Sequence, residues 1–391
     1  MQVFTNWKKL CSAAVLFFAA SSLQAQDTIY VVQQIVNTKT ETTKSEYPKF
    51  KIGGVFQARY LESVKRDVDV DGLNHTEGKY LKSTYDVKRM RVSMNANLTQ
   101  NLSVVALANF ADFKSDPRTR VLENAYARYA VSRYVQLQIG QFRPSFGMED
   151  SYPVDIVKSI DYSNAYYLMG SNGWQSFQIG AAVGGSVDLG KVPLTYSVSM
   201  TNGNGKNTVD NNNGKHYSGR FVFDLNKKNN FRLGFSAGAG NEFGKDIYAL
   251  GLEGTYQMKL TERWSFDIQT EAIQAINQSL YFSLPEADRL DNINNYVLKG
   301  IYALPSFRYY VGKKHFQALE FSFRYEYLEA NSKLNSNPRQ TYVPMLSLEF
   351  LKNYGARIQI GAQIDNYRKN IANTKTYNAN LAFVQFQCRL Q

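Results

Sequence analysis

The sequence predicts an all-β fold, a transmembrane antiparallel β-barrel of about 16 strands, and three observations carry that prediction. First, 44% of the 391 residues are apolar or aromatic, yet the mean hydropathy is -0.38. A helical bundle is excluded, because a bilayer-spanning helix needs about 20 consecutive apolar residues and only the extreme N-terminus approaches such a run. Second, from Lys49 onward apolar and polar residues alternate with period two, the repeat of a strand with two different faces. The polar face is packed with Arg, Gln, Asn and Tyr, and the strands are long for a soluble sandwich, whose inner face is the apolar one. Third, Tyr (27) and Phe (24) are each about as frequent as Gly (26), and aromatic residues gather near strand ends.

The first 25 residues read as an export signal. Lys8 and Lys9 form a positive start, Leu10 to Ala20 an apolar stretch too short to span, and Ser21 to Ala25 a small-residue segment before a cleavage point at Ala25/Gln26. Removing Lys8 and Lys9 lowers the net charge from +12 to +10 and leaves Cys388 as the remaining cysteine. Residues 26–47, Thr- and Lys-rich, are expected to be a periplasmic N-terminal segment; their spacing fits a short strand, a helical turn pair or an extended lead equally well. Residues 48–391 form the barrel.

In Lys49 to Leu61, Phe50, Ile52, Phe56, Ala58 and Tyr60 share one face, and Lys51, Gln57 and Arg59 the other. In Lys88 to Leu98, Met90, Val92, Met94, Ala96 and Leu98 oppose Arg89, Arg91, Ser93, Asn95 and Asn97. Similar segments, separated by Asn, Gly, Asp and Lys clusters, follow near 102–113, 121–131, 134–142, 174–188, 193–202, 216–225, 230–239, 246–258, 263–276, 296–311, 316–329 and 340–352. The last two repeat the pattern: Ala356, Ile358, Ile360, Ala362 and Ile364 oppose Arg357, Gln359, Gln363 and Asp365, then Ala382, Val384, Phe386, Cys388 and Leu390 oppose Gln385, Gln387 and Arg389. Some connections are tight (Thr99-Gln100-Asn101, Lys352-Asn353-Tyr354) and others much longer, as in outer-membrane barrels. Tyr129 and Tyr134, Tyr309 and Tyr310, Tyr325 and Tyr327, and Trp264 and Phe266 are placed to form aromatic girdles at the two membrane interfaces. Pro144 to Gly173 is the longest irregular stretch, and such a stretch in a compact domain is usually functional.

If the apolar faces meet lipid, the opposite faces line a lumen whose charges select ions. The alternation turns Lys51, Arg59, Arg89, Arg91, Arg128, Arg220, Arg232, Arg308, Arg324, Arg357 and Arg389 inward, against the acids Asp224, Glu253, Asp267, Glu271, Glu320, Glu326 and Asp365. The first six strands supply five of the bases and none of these acids, so one wall is expected to be cationic and the other mixed. Arg89 and Arg91 point the same way about 7 Å apart, with Arg59 on the neighbouring strand. Guanidinium groups carry a fixed fork of donors and a permanent charge, and a column of them can replace an anion's hydration in steps.

Six segments in order, Lys88-Arg89-Met90-Arg91-Val92, Ala108 to Phe113, Leu122-Glu123-Asn124-Ala125-Tyr126, Ile139-Gly140-Gln141-Phe142-Arg143-Pro144-Ser145-Phe146-Gly147, Thr201-Asn202-Gly203 and Gly219-Arg220, resemble the phosphate-selective porin O and P family of Gram-negative outer membranes. The Gly-Gln-Phe-basic-x-x-Phe element is the most specific of them. The resemblance implies a sixteen-stranded barrel in the outer membrane, a homotrimer, a loop after the fifth strand (144–173) folded inward as a constriction, and an arginine ladder for anions, to which Arg91 and Arg143 correspond by position. The loop is net acidic, carrying Lys158 against Glu149, Asp150, Asp155 and Asp161.

The expected function is therefore a passive, anion-preferring (phosphate-like) outer-membrane channel, with Arg59, Arg89, Arg91, Arg128, Arg143 and Arg220 as pore-lining, anion-binding residues. Its partners would be small anions or polar solutes and outer-membrane lipid. A carbohydrate or neutral-nutrient channel is the alternative, with Arg308 and Tyr310 on one lumen face. An outer-membrane enzyme would need a His beside Ser or Asp at the rim. His75, His216 and His315 stand far apart in no ligand spacing, and only His216 is placed for a rim. No cofactor, metal or nucleic-acid motif is read, and no enzyme activity is expected.

Overall fold

A computed structural model describes residues 47–116, 120–289 and 292–390. The expected signal segment 1–25, and the periplasmic segment up to residue 46, lie outside the described residues.

Sixteen strands close into one antiparallel barrel in which each pairs with its sequence neighbours and the first with the last. They are β1 (Lys49–Ser63), β2 (Ser83–Asn97), β3 (Leu102–Asn109), β4 (Leu122–Ala130), β5 (Gln136–Phe142), β6 (Gln178–Leu189), β7 (Val192–Thr201) and β8 (His216–Asn226). The second half comprises β9 (Phe231–Glu242), β10 (Lys245–Lys259), β11 (Trp264–Ile276), β12 (Val297–Lys313), β13 (Phe316–Glu329), β14 (Arg339–Leu351), β15 (Ala356–Tyr367) and β16 (Ala379–Leu390). Each of the sixteen segments expected from period-two alternation is a strand. The clearest differences in length are at 110–114, where Phe110–Lys114 coil into a 3-10 turn, and at 174–177, which belong to the preceding loop. No helix among the described residues is long and apolar enough to cross a membrane, and the strands are the elements that can.

Short turns join β2–β3, β4–β5, β6–β7, β8–β9, β10–β11, β12–β13 and β14–β15 at one end of the barrel. The other end carries the long segments, apart from the two-residue Phe243-Gly244 hairpin, where both residues have positive φ. Outward faces are apolar and exposed, as at Phe50, Ile52, Ile139, Leu252 and Phe321. On them Trp264 stacks near Tyr309 at 4.8 Å and Tyr325 near Tyr342 at 5.3 Å, close to opposite ends of the strands.

The register keeps one parity per strand, with two interruptions that matter. A bulge between Gln57 and Ala58 sets Arg59 opposite Asp86 while Gln57 faces Arg89. A second, between Leu107 and Ala108, inserts Glu123. A bulge adds one residue to one strand and so reverses its side-chain alternation. Asp86 and Glu123, both on the lipid side by strict alternation, turn inward.

Segment 143–177, between β5 and β6, is not structureless. It holds 3-10 turns at Glu149–Ser151 and Val154–Ile156 and the helix α1 (Asn164–Ser171). The β11–β12 connection holds a second short helix, α2 (Gln278–Ser283).

Candidate functional site: a basic cavity beside an inward loop

The Gly140 to Gly147 motif turns the chain off the wall and into the lumen. Gly140 has φ +126 and lies so close to β4 that a Cβ would stand 2.3 Å from the Ala125 carbonyl oxygen. Gln141 donates to the carbonyls of Leu122 and Glu123 at 2.9 and 3.0 Å, holding the end of β5 against β4. Ser145 N donates to Ser199 Oγ, and Gly147 N to Ser236 Oγ, both at 3.0 Å, so small side chains on β7 and β9 let the departing chain run close to the wall. Gly147, at φ +73, leaves no room for a side chain beside Gln175 and Glu271.

Past this point the loop packs against the far wall. Phe146, Met169 and Trp174 are buried to 1% exposure or less, among Ile247, Ala249, Ile273, Ala275, Leu298 and Leu328 of β10–β13 and Tyr281 of α2. Large apolar side chains of this kind contribute about 1.5–3 kcal/mol each when fully buried. Polar contacts fix the register. Met148 N donates to Glu271 at 2.7 Å, Ala165 N to Glu326 at 2.7 Å, and Asn164 Nδ2 to Glu326 at 2.9 Å. Arg324 and Arg357 donate to the carbonyls of Asp161 and Val157 at 2.7 and 2.9 Å, and Lys158 meets Asp267 at 3.0 Å. Burial opposes the Lys158 charge, yet Asp267, Tyr354 and Glu320 together hold its pKa above the ordinary value. Burial would likewise raise Asp161, but Arg89 and Lys88 hold it well below the usual carboxylate range.

The near wall is left open. A cavity of about 700 Å³ lies between the loop and β1–β8 with β16, reaching from the short-turn end, at Lys51, Gln136 and Arg389, up to Pro144 and Val154 of the loop. Its charged lining is Lys51, Arg91, Arg128, Arg143, Arg220 and Arg389 against Asp150 and Asp155.

Of the six arginines expected to line the pore, Arg91, Arg128, Arg143 and Arg220 meet at this cavity, and Arg59 and Arg89 do not border it. Arg59 pairs with Asp86 at 3.0 Å. Arg89 reaches Asp161 at 2.6 Å and Gln57 at 2.8 Å, so it ties the loop to β2. Arg91 pairs with Glu123 at 2.6 Å. Arg143 donates to the Asp150 carbonyl and the Tyr162 hydroxyl at 3.2 and 3.1 Å, and it bridges the Asp150 carboxylate at 3.6 Å. Arg220 holds Glu253 with two bonds of 2.8 and 2.6 Å. Arg128 rests over the Tyr126 ring, 5.4 Å from its centre, and donates to Gln138 at 2.9 Å. Among the described residues no carboxylate reaches it. The expectation of a near wall without acids is thus corrected: two β-bulges supply Asp86 and Glu123, and the loop supplies Asp161.

The family model of the phosphate-selective porin O and P matches residues 60–272, more than half of the 391 residues. The chain belongs to that family. Among solved structures it is similar to the outer membrane channel DcaP of Acinetobacter baumannii, at 11% identity over 88% of this chain and 97% of that one, with a TM-score of 0.55. It is also similar to the loop L8 deletion mutant of OmpT, an outer membrane protein of Vibrio cholerae, at 13% identity over 88% and 100% with a TM-score of 0.53. OprB of Pseudomonas putida gives 9% identity over 87% and 94%, with a TM-score of 0.55. A search of curated proteins gives no match. These structural likenesses show a shared barrel fold, and the family makes the protein a porin, a passive channel of the outer membrane.

Within this porin, two further sequence candidates take other roles. Arg308 lies 5.1 Å from the Tyr310 ring centre, but it is bound to Glu349 and faces Glu320 at 3.5 Å, so it is not a free polar group beside a stacking ring. His216 is buried, stacked on Trp174 at 4.5 Å and 3.3 Å from Glu242, with Gln278 also at hand. It packs between the loop and the wall. The sequence reading overlooked Asp86, Glu123 and Glu349, the first two because strict alternation cannot anticipate a bulge.

Proposed function

We propose that the porin is an anion-preferring diffusion channel whose selectivity resides in the cavity between the inward loop and the β1–β8 wall. The observation that carries this reading is the cavity lining, six basic side chains against two acidic ones; of the six, Lys51 and Arg128 have no carboxylate partner among the described residues once Glu123 and Glu253 are set against Arg91 and Arg220. A water-filled channel with low-dielectric walls, lined mainly by one sign of charge, raises the local concentration of counter-ions and repels co-ions. Arg128 and Lys51 act as direct anion contacts. Arg91, Arg143 and Arg220 contribute field while their donors hold neighbouring groups, and Arg59 and Arg89 brace the β1–β2 wall and the loop. Segment 144–173 is the constriction, since it narrows the lumen toward the basic side. Residues 1–25 direct export, residues 26–47 lie on the periplasmic side, three copies assemble in the membrane, and no catalysis is involved.

Planar-bilayer recording across a KCl gradient tests the reading. The reversal potential is expected to indicate preference for chloride over potassium, and a potential indicating cation preference would overturn it.

A further inference from the structure

Inward positions of a water-filled barrel are normally polar, and the cavity wall departs from this. Leu107 on β3, Tyr126 on β4 and Val222 on β8 point inward and stay half-buried, bordering the cavity. From the loop side, Tyr152 and Pro153 face the same space, also half-buried. The apolar lining is therefore present on both sides of the passage, beside Arg128. Ile273 and Leu298, also inward and apolar, are covered by the loop; these are not.

The cations here are unevenly available. Arg91, Arg143, Arg220 and Arg389 have carboxylate partners in Glu123, Asp150, Glu253 and Asp155. Lys51 and Arg128 have no such partner among the described residues, and Arg128 is held side-on by Gln138 and the Tyr126 hydroxyl with Nη1 uncommitted. Inorganic phosphate is small and strongly hydrated, and a site that selects it must offer several unshared donors at once. The uncommitted Nη1 of Arg128 can donate to one carboxylate, and a passage of about 700 Å³ has room for an organic molecule.

We propose that the solutes this channel favours are organic monocarboxylates with an apolar or aromatic body: the carboxylate engages Arg128 while the body slides over Leu107, Tyr126, Val222, Tyr152 and Pro153. This rests on the anion reading above and names its solute class. Each apolar contact is worth a fraction of the burial energy of a side chain, enough to enrich a solute without trapping it.

Chloride current through the purified porin in a planar bilayer is titrated with benzoate, acetate and phosphate. Benzoate is expected to half-block at a concentration roughly tenfold below acetate and below phosphate. Arg128→Lys, which keeps the charge and loses the planar guanidinium held in place by Gln138 and Tyr126, is expected to raise the benzoate value several-fold. Leu107→Ser is expected to shrink the benzoate-to-acetate difference, with heat-modifiable migration reporting that each variant is folded. Equal block by benzoate and acetate, or strongest block by phosphate, would overturn the solute class, and the wild-type protein alone decides this. Cation preference in the KCl gradient is a separate result and would sink the anion reading instead.

Discussion

The two sides of the barrel use the same inward charges for opposite purposes. On β10–β14, inward carboxylates and guanidinium groups are withdrawn from the lumen: Glu271 and Glu326 accept backbone N–H groups of the loop, Arg324 donates to a loop carbonyl, Glu320 is buried near Lys158, and Glu349 is buried against Arg308. On β1–β8, Lys51, Arg91, Arg128 and Arg220 border an open cavity. A charge facing the lumen is thus not yet a pore charge. Whether the loop lies over it decides between holding structure and meeting a solute.

The largest expected effect comes from loosening the sealed side. Glu271 and Glu326 accept hydrogen bonds from Met148 N, Ala165 N and Asn164 Nδ2, each worth about 1 kcal/mol, with a further cost of about 1–3 kcal/mol for every buried N–H donor left unpaired. The double variant Glu271→Ala/Glu326→Ala should release the loop, raise single-channel conductance at least about twofold and expose Lys158 to trypsin. Unchanged conductance with full protection of Lys158 would show that the apolar packing of Phe146, Met169 and Trp174 holds the loop unaided.

A smaller effect should follow pH. Burial, opposed by Arg324 and the Ser163 hydrogen bonds, pushes the Glu149 carboxyl up to about 7, and burial opposed by Arg143 pushes Asp150 up to about 7. The seated loop therefore favours their protonated forms. This contribution is complete below about pH 4, the ordinary carboxylate value, and is lost as pH rises through about 7. Asp161 has the opposite sign, since its pKa is lowered, and its contribution is lost only in stronger acid, outside this window. Hydrogen exchange of amides 146–163, corrected for intrinsic rate, should show less protection at pH 8 than at pH 5, and Glu149→Gln should reduce the difference. Equal protection at both pH values would contradict the assignment.

The contrast between the two sides was only partly legible in the sequence. Period-two alternation is a direct consequence of strand geometry, so the sixteen strands and the inward parity of residues such as Arg128, Arg220 and Glu271 follow from it. The loop's acids could be counted, but not that Asp161 would take both Arg89 and Lys88, because that pairing depends on where a 35-residue segment, 143–177, crosses the lumen. The bulges do mark β2 and β4, where the apolar phase slips by one residue across Lys88-Arg89 and across Glu123-Asn124, but carrying a single alternation through each strand hides the slip. Ile273 and Leu298 are inward apolar residues that the loop covers, but their departure from alternation does not announce it, because Leu107 and Val222 depart in the same way and border the open cavity.

Those bulges also provide the finest test of the comparison. Glu123 faces Arg91 at 2.6 Å and Lys206 at 3.9 Å, and Arg91 borders the cavity. Glu123→Gln removes one negative charge beside the open passage and frees the guanidinium donors of Arg91, so the chloride-to-potassium permeability ratio should rise roughly twofold. The matched change on the other side is Glu349→Gln. There Arg308 keeps Glu320 at 3.5 Å and lies against Tyr354, with a ring distance of 4.6 Å, and it does not border the cavity. The same loss of one negative charge should therefore leave the ratio nearly constant. If both variants raise the ratio alike, selectivity follows the summed charge of the lumen, and the division between a sealed wall and a conducting wall fails.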